Sequence, residues 1–180
     1  MAHHHPPMDL LLEYTAGALP VAQSACVAAH LSYCQRCRQL VDRLEDVGGA
    51  HLERLDPQPV GESVLESVMA RLDDPEPLRY APNEVSDTQL PGLLDRLING
   101  NYADLAWKRV TQSLSISYLK TGDPNHEFAL YRIAEGGRIP EHTHGGSEMT
   151  LVLRGGFADE SGEYHPGDFL VREGWDKHTP

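Results

Sequence analysis

Two thiols and an imidazole, spaced His30-x-x-x-Cys34-x-x-Cys37, constrain this chain more than any other feature. On a helix, or on a helix entered through a turn, residues three and four apart share a face, so the three side chains can reach one point. Such a donor set suits borderline-soft Zn²⁺, and a structural site needs a fourth ligand. The histidine run His3-His4-His5 can supply it, with His5 as the candidate and His3 and His4 as alternatives. A histidine run behind Met-Ala is also what a purification tag leaves. Two cysteines on a helix can simply pack as small hydrophobes, but that reading leaves the added histidine without a role. Cys26 lies four residues before His30 on an apolar helix face and reads as a buried structural thiol.

A second cluster, His142-Thr143-His144 followed by Glu148, uses different geometry. Residues two apart on a strand point the same way, so the two histidines face together, and Glu148 can return to them after the Gly145-Gly146 turn. His178, on a later segment beyond the Pro166-Gly167-Asp168 turn, can close a set of three imidazoles and one carboxylate. That set suits zinc or another divalent transition metal. His51, His126 and His165 have no partners at ligand spacing and read as surface or packing residues.

At 180 residues the chain can form one ordinary domain or two small ones, and 40% hydrophobic with 7% aromatic residues leaves neither half a surplus of core. A module of roughly 70 residues is near the size at which a metal or a partner supplies part of the stability. The net charge of −12 argues against DNA or RNA as a direct partner, since phosphate recognition depends on clustered Lys and Arg. Residues 1–72 hold nine acidic and five basic side chains, a balance of −4, which also disfavours a nucleic-acid role for the first half. No stretch approaches the roughly 20 apolar residues of a membrane span, and no signal peptide opens the chain, so a cytoplasmic location is expected. Three cysteines, two of them in the ligand pattern, do not make a disulfide framework.

Helical spacing is expected over residues 8–18, from Pro20 to His30, from Cys34 until Gly48-Gly49 stops it, and over 62–72. In the last of these, Val64, Leu65, Val68 and Met69 share a stripe. Residues 73–92, with Pro75, Pro77, Pro82 and Pro91 among several acids, have the composition of a linker between residues 1–72 and 93–180. Beyond it the period changes to two. Leu114, Ile116 and Tyr118 alternate with Ser113, Ser115 and Ser117, predicting a buried apolar face and a polar one. Further strands are expected over 128–133, 149–153 and 168–171, with glycine turns between them. The fold class is therefore α plus β: a small metal-bound helical domain, then an antiparallel barrel or jelly roll.

The two clusters and their surroundings resemble the ChrR-type anti-sigma factors, in which a zinc-binding anti-sigma domain precedes a cupin. The family's early histidine and H-x-x-x-C-x-x-C fall on His5, His30, Cys34 and Cys37, and residues 11–20 and 28–31 are also similar. The first cupin motif matches at Gly136, His142, His144, Glu148 and Gly155. The second departs from P-x-G-x-x-H: Pro166-Gly167-Asp168 is present, but the histidine, His178, follows ten residues after Asp168. The chain ends at Pro180, where a cupin needs further strands, so a fragment or an open barrel is expected.

The resemblance implies a repressor that sequesters an extracytoplasmic-function sigma factor through its zinc-bound helical domain. The cupin would sense oxidative stress such as singlet oxygen or organic peroxide. The stripe Val64, Leu65, Val68 and Met69 would contact the partner. A metal-dependent cupin dioxygenase is the alternative, because three histidines and a glutamate also serve iron or manganese oxygen chemistry. The accessory zinc domain argues against it, since a small oxygenase does not require one.

Overall fold

The computed structural model describes residues 2–61, 63–72, 90–98, 102–139, 145–172 and 174. The helical half contains α1 (Met8–Thr15), α2 (Val21–Tyr33), α3 (Gln35–Leu52) and α4 (Ser63–Ala70). It is followed by α5 (Gly92–Ile98), a single 3-10 turn at Tyr102–Asp104, and the strands β1 (Lys108–Arg109), β2 (Leu114–Tyr118), β3 (Ala129–Ile133), β4 (Glu148–Leu151), β5 (Phe157–Asp159), β6 (Gly162–Tyr164) and β7 (Phe169–Arg172). The chain is α plus β, with all observed strand pairs antiparallel.

Local chemistry explains several helix ends. α1 stops in a glycine-closed turn: Gly17 takes φ +66°, its N–H donates to Tyr14 O, and the Ala18 N–H donates to Glu13 O. This satisfies carbonyls that the helix end leaves without partners. Between α2 and α3 only Cys34 leaves the helical conformation, with φ −115° and ψ 103°. Its Sγ then accepts from the Cys37 N–H at 3.4 Å, as an N-cap side chain does.

α3 departs from expectation, because it runs through Gly48-Gly49 to Leu52. Glycine weakens a helix by about 1 kcal/mol per residue but ends one only by adopting positive φ, and neither of these two does so. The proposed linker at 73–92 falls almost entirely outside the described residues. Its last residue, Gly92, opens α5, a helix that proline content had concealed and that buries Leu94.

α2 is the central helix. It packs against α1, α3, α5 and β4. Its buried residues are Ala22, Ala25, Cys26, Val27, Ala29 and His30, and the small ones among them admit close neighbours all round. The largest core joins Leu10, Leu11, Cys26, Val27, Cys34, Cys37 and Val41 of the helical half to Phe169 of β7, with Phe128, Met149 and Leu151 packed against it. Helices and strands thus share one core.

Among the described residues the strands form three small sheets, in the orders β1-β2-β3, β4-β7 and β5-β6, and no closed barrel. In β2 the expected alternation holds only for Leu114 and Ile116. Ser117 is 1% exposed while Tyr118 is 53% exposed, reversing the prediction at the strand's end. The buried side changes phase between Ile116 and Ser117, so Ser117 and Leu119 take interior positions. Residue polarity cannot reveal which face of a strand end is covered.

Candidate metal centre

Each of His5, His30, Cys34 and Cys37 contributes one donor atom to a group lying within 4.8 Å of one another. His30, Cys34 and Cys37 are buried and His5 half-buried. The cysteines arrive at the capped start of α3, and His30 points in from the last turn of α2. His5 comes from the segment ahead of α1, with Nδ1 at 3.4 Å from Cys34 Sγ and 3.6 Å from Cys37 Sγ. Its neighbours are turned elsewhere: the His4 ring packs on Tyr164 at 4.9 Å, and the His3 ring faces His165 at 6.5 Å.

The tautomer of His30 follows from its partner. Nδ1 lies 2.7 Å from Gly167 O, and a carbonyl only accepts, so Nδ1 carries the proton and donates it. Nε2 therefore keeps its lone pair. That atom is buried and has no hydrogen-bond partner among the described residues. A buried ring nitrogen left without a partner is costly unless it binds something electron-poor. A divalent cation fits.

Electrostatics point the same way. Burial, followed by the charge of Arg36, lowers the His5 pKa, and burial lowers that of His30 despite the opposing Gly167 hydrogen bond. Both imidazoles are consequently neutral donors near pH 7. Burial, then the adjacent Cys34 thiol, pushes the Cys37 thiol up to about 12. A thiol so reluctant to ionise exchanges its proton readily only for a positive charge at the same place.

The strands contribute a feature that sequence reasoning missed. Asp168, which the sequence places in the Pro166-Gly167-Asp168 turn and at the start of the strand expected over 168–171, is 0% exposed. Its Oδ1 accepts from the backbone N–H groups of His3 at 2.5 Å and His4 at 3.0 Å, and its Oδ2 accepts from His165 N at 2.8 Å. Burial opposes its ionisation, yet these three donors outweigh it and hold the carboxyl below the usual carboxylate range. The one available signal was a carboxylate at the head of the apolar run Phe169-Leu170-Val171.

Of the second expected set, Glu148 is the first residue of β4, half-buried and in register with Arg172 of β7. His142, His144 and His178 lie outside the described residues. Val64, Leu65, Val68 and Met69 all occur on α4, at 45%, 69%, 54% and 58% exposure, and no residue of that helix is buried. Cys26 is a buried thiol pushed up to about 12 by burial, as its apolar helix face implied. No described helix is long and apolar enough to cross a membrane.

Residues 96–180 match the family described as the ChrR Cupin-like domain. Over 177 residues, 98% of this chain and 82% of the relative, the sequence is 36% identical to the Anti-sigma-E factor ChrR of Cereibacter sphaeroides. The chain belongs to the ChrR family of anti-sigma factors. Among solved structures it is similar to the crystal structure of Rhodobacter sphaeroides SigE in complex with the anti-sigma ChrR. That match has a TM-score of 0.87 and 34% identity, and covers 100% of this chain and 92% of the other. As a ChrR family member, the chain presents in His5, His30, Cys34 and Cys37 a group able to hold a metal ion.

Proposed function

We propose that this ChrR family member is a cytoplasmic anti-sigma factor that sequesters an extracytoplasmic-function sigma factor through a zinc-bound helical module. The observation that carries this reading is the whole-chain likeness, at a TM-score of 0.87, to a ChrR crystallised with SigE. The module comprises residues 1–72, a linker spans 73–92, and the cupin spans 93–180. It is a regulator acting by protein contact and not an enzyme.

His5, His30, Cys34 and Cys37 hold zinc in this account. Zinc bonds of about 2.05 Å to nitrogen and about 2.3 Å to sulfur, arranged tetrahedrally, give a nitrogen–sulfur edge of about 3.6 Å. The 3.4 and 3.6 Å separations from His5 Nδ1 to the two sulfurs agree with that edge. When bound, the ion supplies a structural crosslink between the amino-terminal segment, α2 and α3.

α4 supplies the contact surface. An apolar helix with no buried residue, joined to the rest at Asp56-Pro57-Gln58-Pro59-Val60-Gly61, suits insertion into a groove of a partner through Val64, Leu65, Val68 and Met69. The net charge of −12 favours a basic partner surface. The cupin is the sensor: His142, His144, Glu148 and His178 bind zinc or another divalent transition metal, and oxidative stress such as singlet oxygen or organic peroxide acts there to release the sigma factor.

Co-expression with an extracytoplasmic-function sigma factor should yield a stable complex containing zinc. Leu65→Asp combined with Val68→Asp should abolish capture. Capture at the parental level would remove α4 from the interface. Glu148→Ala should retain capture and lose stress-induced release, and a normal response in that variant would reject the cupin's role.

A further inference from the structure

Both imidazoles of the metal centre are held from the strand half of the chain, and through one short turn. Gly167 O fixes His30 from one side of that turn at 2.7 Å. Asp168 takes the backbone N–H groups of His3 and His4, two and one residues from His5, and the Phe169 N–H returns a bond to His4 O at 3.1 Å. The segment ahead of α1 bends at His3-His4, so that two consecutive N–H groups meet one oxygen of Asp168 while the His4 carbonyl faces β7. The Phe169 ring meets the His30 ring edge-on at 5.7 Å. The turn is seated tightly on α2 as well. Gly167 adopts φ +94°, and a Cβ there would lie 2.8 Å from Tyr33 Cβ. The Tyr33 hydroxyl in turn donates to Leu153 O at 3.2 Å.

We propose that Asp168 is a positioning residue of the metal centre, so that the strand half completes the ion site of the helical half by holding His5 in place. This rests on the reading that His5, His30, Cys34 and Cys37 bind zinc. The thiols need no such help, because Cys34 and Cys37 are placed by the α2–α3 junction itself. His5 has no helix to carry it, since α1 begins only at Met8. Pro6 and Pro7 stiffen the link from His5 to α1 but do not anchor the backbone of His3 to His5, and closing that remaining freedom on binding lowers affinity. The buried carboxylate removes most of it beforehand.

The inference also gives the two halves a mechanical connection. A disturbance that shifts the Pro166–Phe169 turn displaces a ligand-bearing segment and the hydrogen-bond partner of a second ligand together.

The test is zinc affinity of the full-length protein, measured by chelator competition, for the parent, Asp168→Ala and Asp168→Asn. Outer partners of ligands commonly account for about 10- to 100-fold in metal affinity. Asp168→Ala should lose affinity in that range. Asp168→Asn should lose less, because its amide oxygen still accepts from His3 and His4. Asp123→Asn is the control: Asp123 lies on the loop between β2 and β3, where its carboxylate is held by the Asn125 N–H and the His126 ring. It should bind zinc within about twofold of the parent if the effect of Asp168 is specific.

A His5→Ala background separates positioning from general weakening. There the further change Asp168→Ala should have no additional effect on zinc affinity. Parental affinity in folded Asp168→Ala, an equal loss in Asp123→Asn, or an undiminished loss in the His5→Ala background would each overturn the proposal. If the parent takes up no zinc, the zinc reading falls and this inference falls with it.

Discussion

α3 and α4 both carry apolar residues at helical spacing, yet only one of them is part of the core. α3 buries Cys37 and Val41 against α1 and α2, and its first turn holds two of the four grouped donor residues. α4 buries nothing, and Leu65 and Met69 are more than half exposed. An apolar stripe therefore states that a face wants covering without stating by what. For α3 the cover is within the chain. For α4, among the described residues, it is not, and a partner protein is what the proposed function supplies.

The strongest way to break this contrast is to chelate the metal that the proposed function assigns to His5, His30, Cys34 and Cys37. Zinc in sites of this kind contributes on the order of 10 kcal/mol in apparent binding free energy, so chelation should melt α1–α3 and lower the thermal midpoint sharply, as read by far-ultraviolet circular dichroism. An unchanged helical signal after verified metal loss would leave the helices standing on packing alone. The next largest effect belongs to the shared core. Leu11, 1% exposed, should cost about 2–5 kcal/mol as Leu11→Ala in urea denaturation.

A smaller, pH-dependent effect should come from Cys26. Its thiol is held up to about 12 in the folded chain, against an ordinary value near 9.0. Between those values the unfolded chain has lost a proton that the folded chain retains, so stability falls as pH rises, by at most about 1.4 kcal/mol per pH unit. Well below pH 9.0 the group is protonated in both states and contributes no slope. Cys26→Ala should flatten this alkaline limb, and an identical slope in the variant would assign it to other groups. The smallest expected effect sharpens the contrast with Leu11: Leu65→Ala on exposed α4 should move stability by no more than about 0.5 kcal/mol. A larger loss would mean that α4 is packed in solution.

Much of this was legible in advance. The change from helical period to alternation is a local property, and it correctly ordered helices before strands, with β2 starting and ending where the serine alternation lies. The donor spacing at His30, Cys34 and Cys37 was equally local, since one turn of helix sets it. Where the reading failed, the deciding contact was remote or the residue type was a poor guide. Gly48-Gly49 suggested a stop that no positive φ enforces, α5 was hidden among prolines, and Ser117 is buried where Tyr118 was expected.

Composition and spacing alone determined that this chain has two lobes' worth of elements and a set of soft donors near its start, because neighbours along a helix or strand are neighbours in space. Only the tertiary structure selected His5 from three adjacent histidines and brought Asp168 to the backbone beside it, across 164 positions from His4. A carboxylate's partners at that separation leave no periodic trace in sequence, because they are chosen by how the folded halves pack and not by the geometry of any single element.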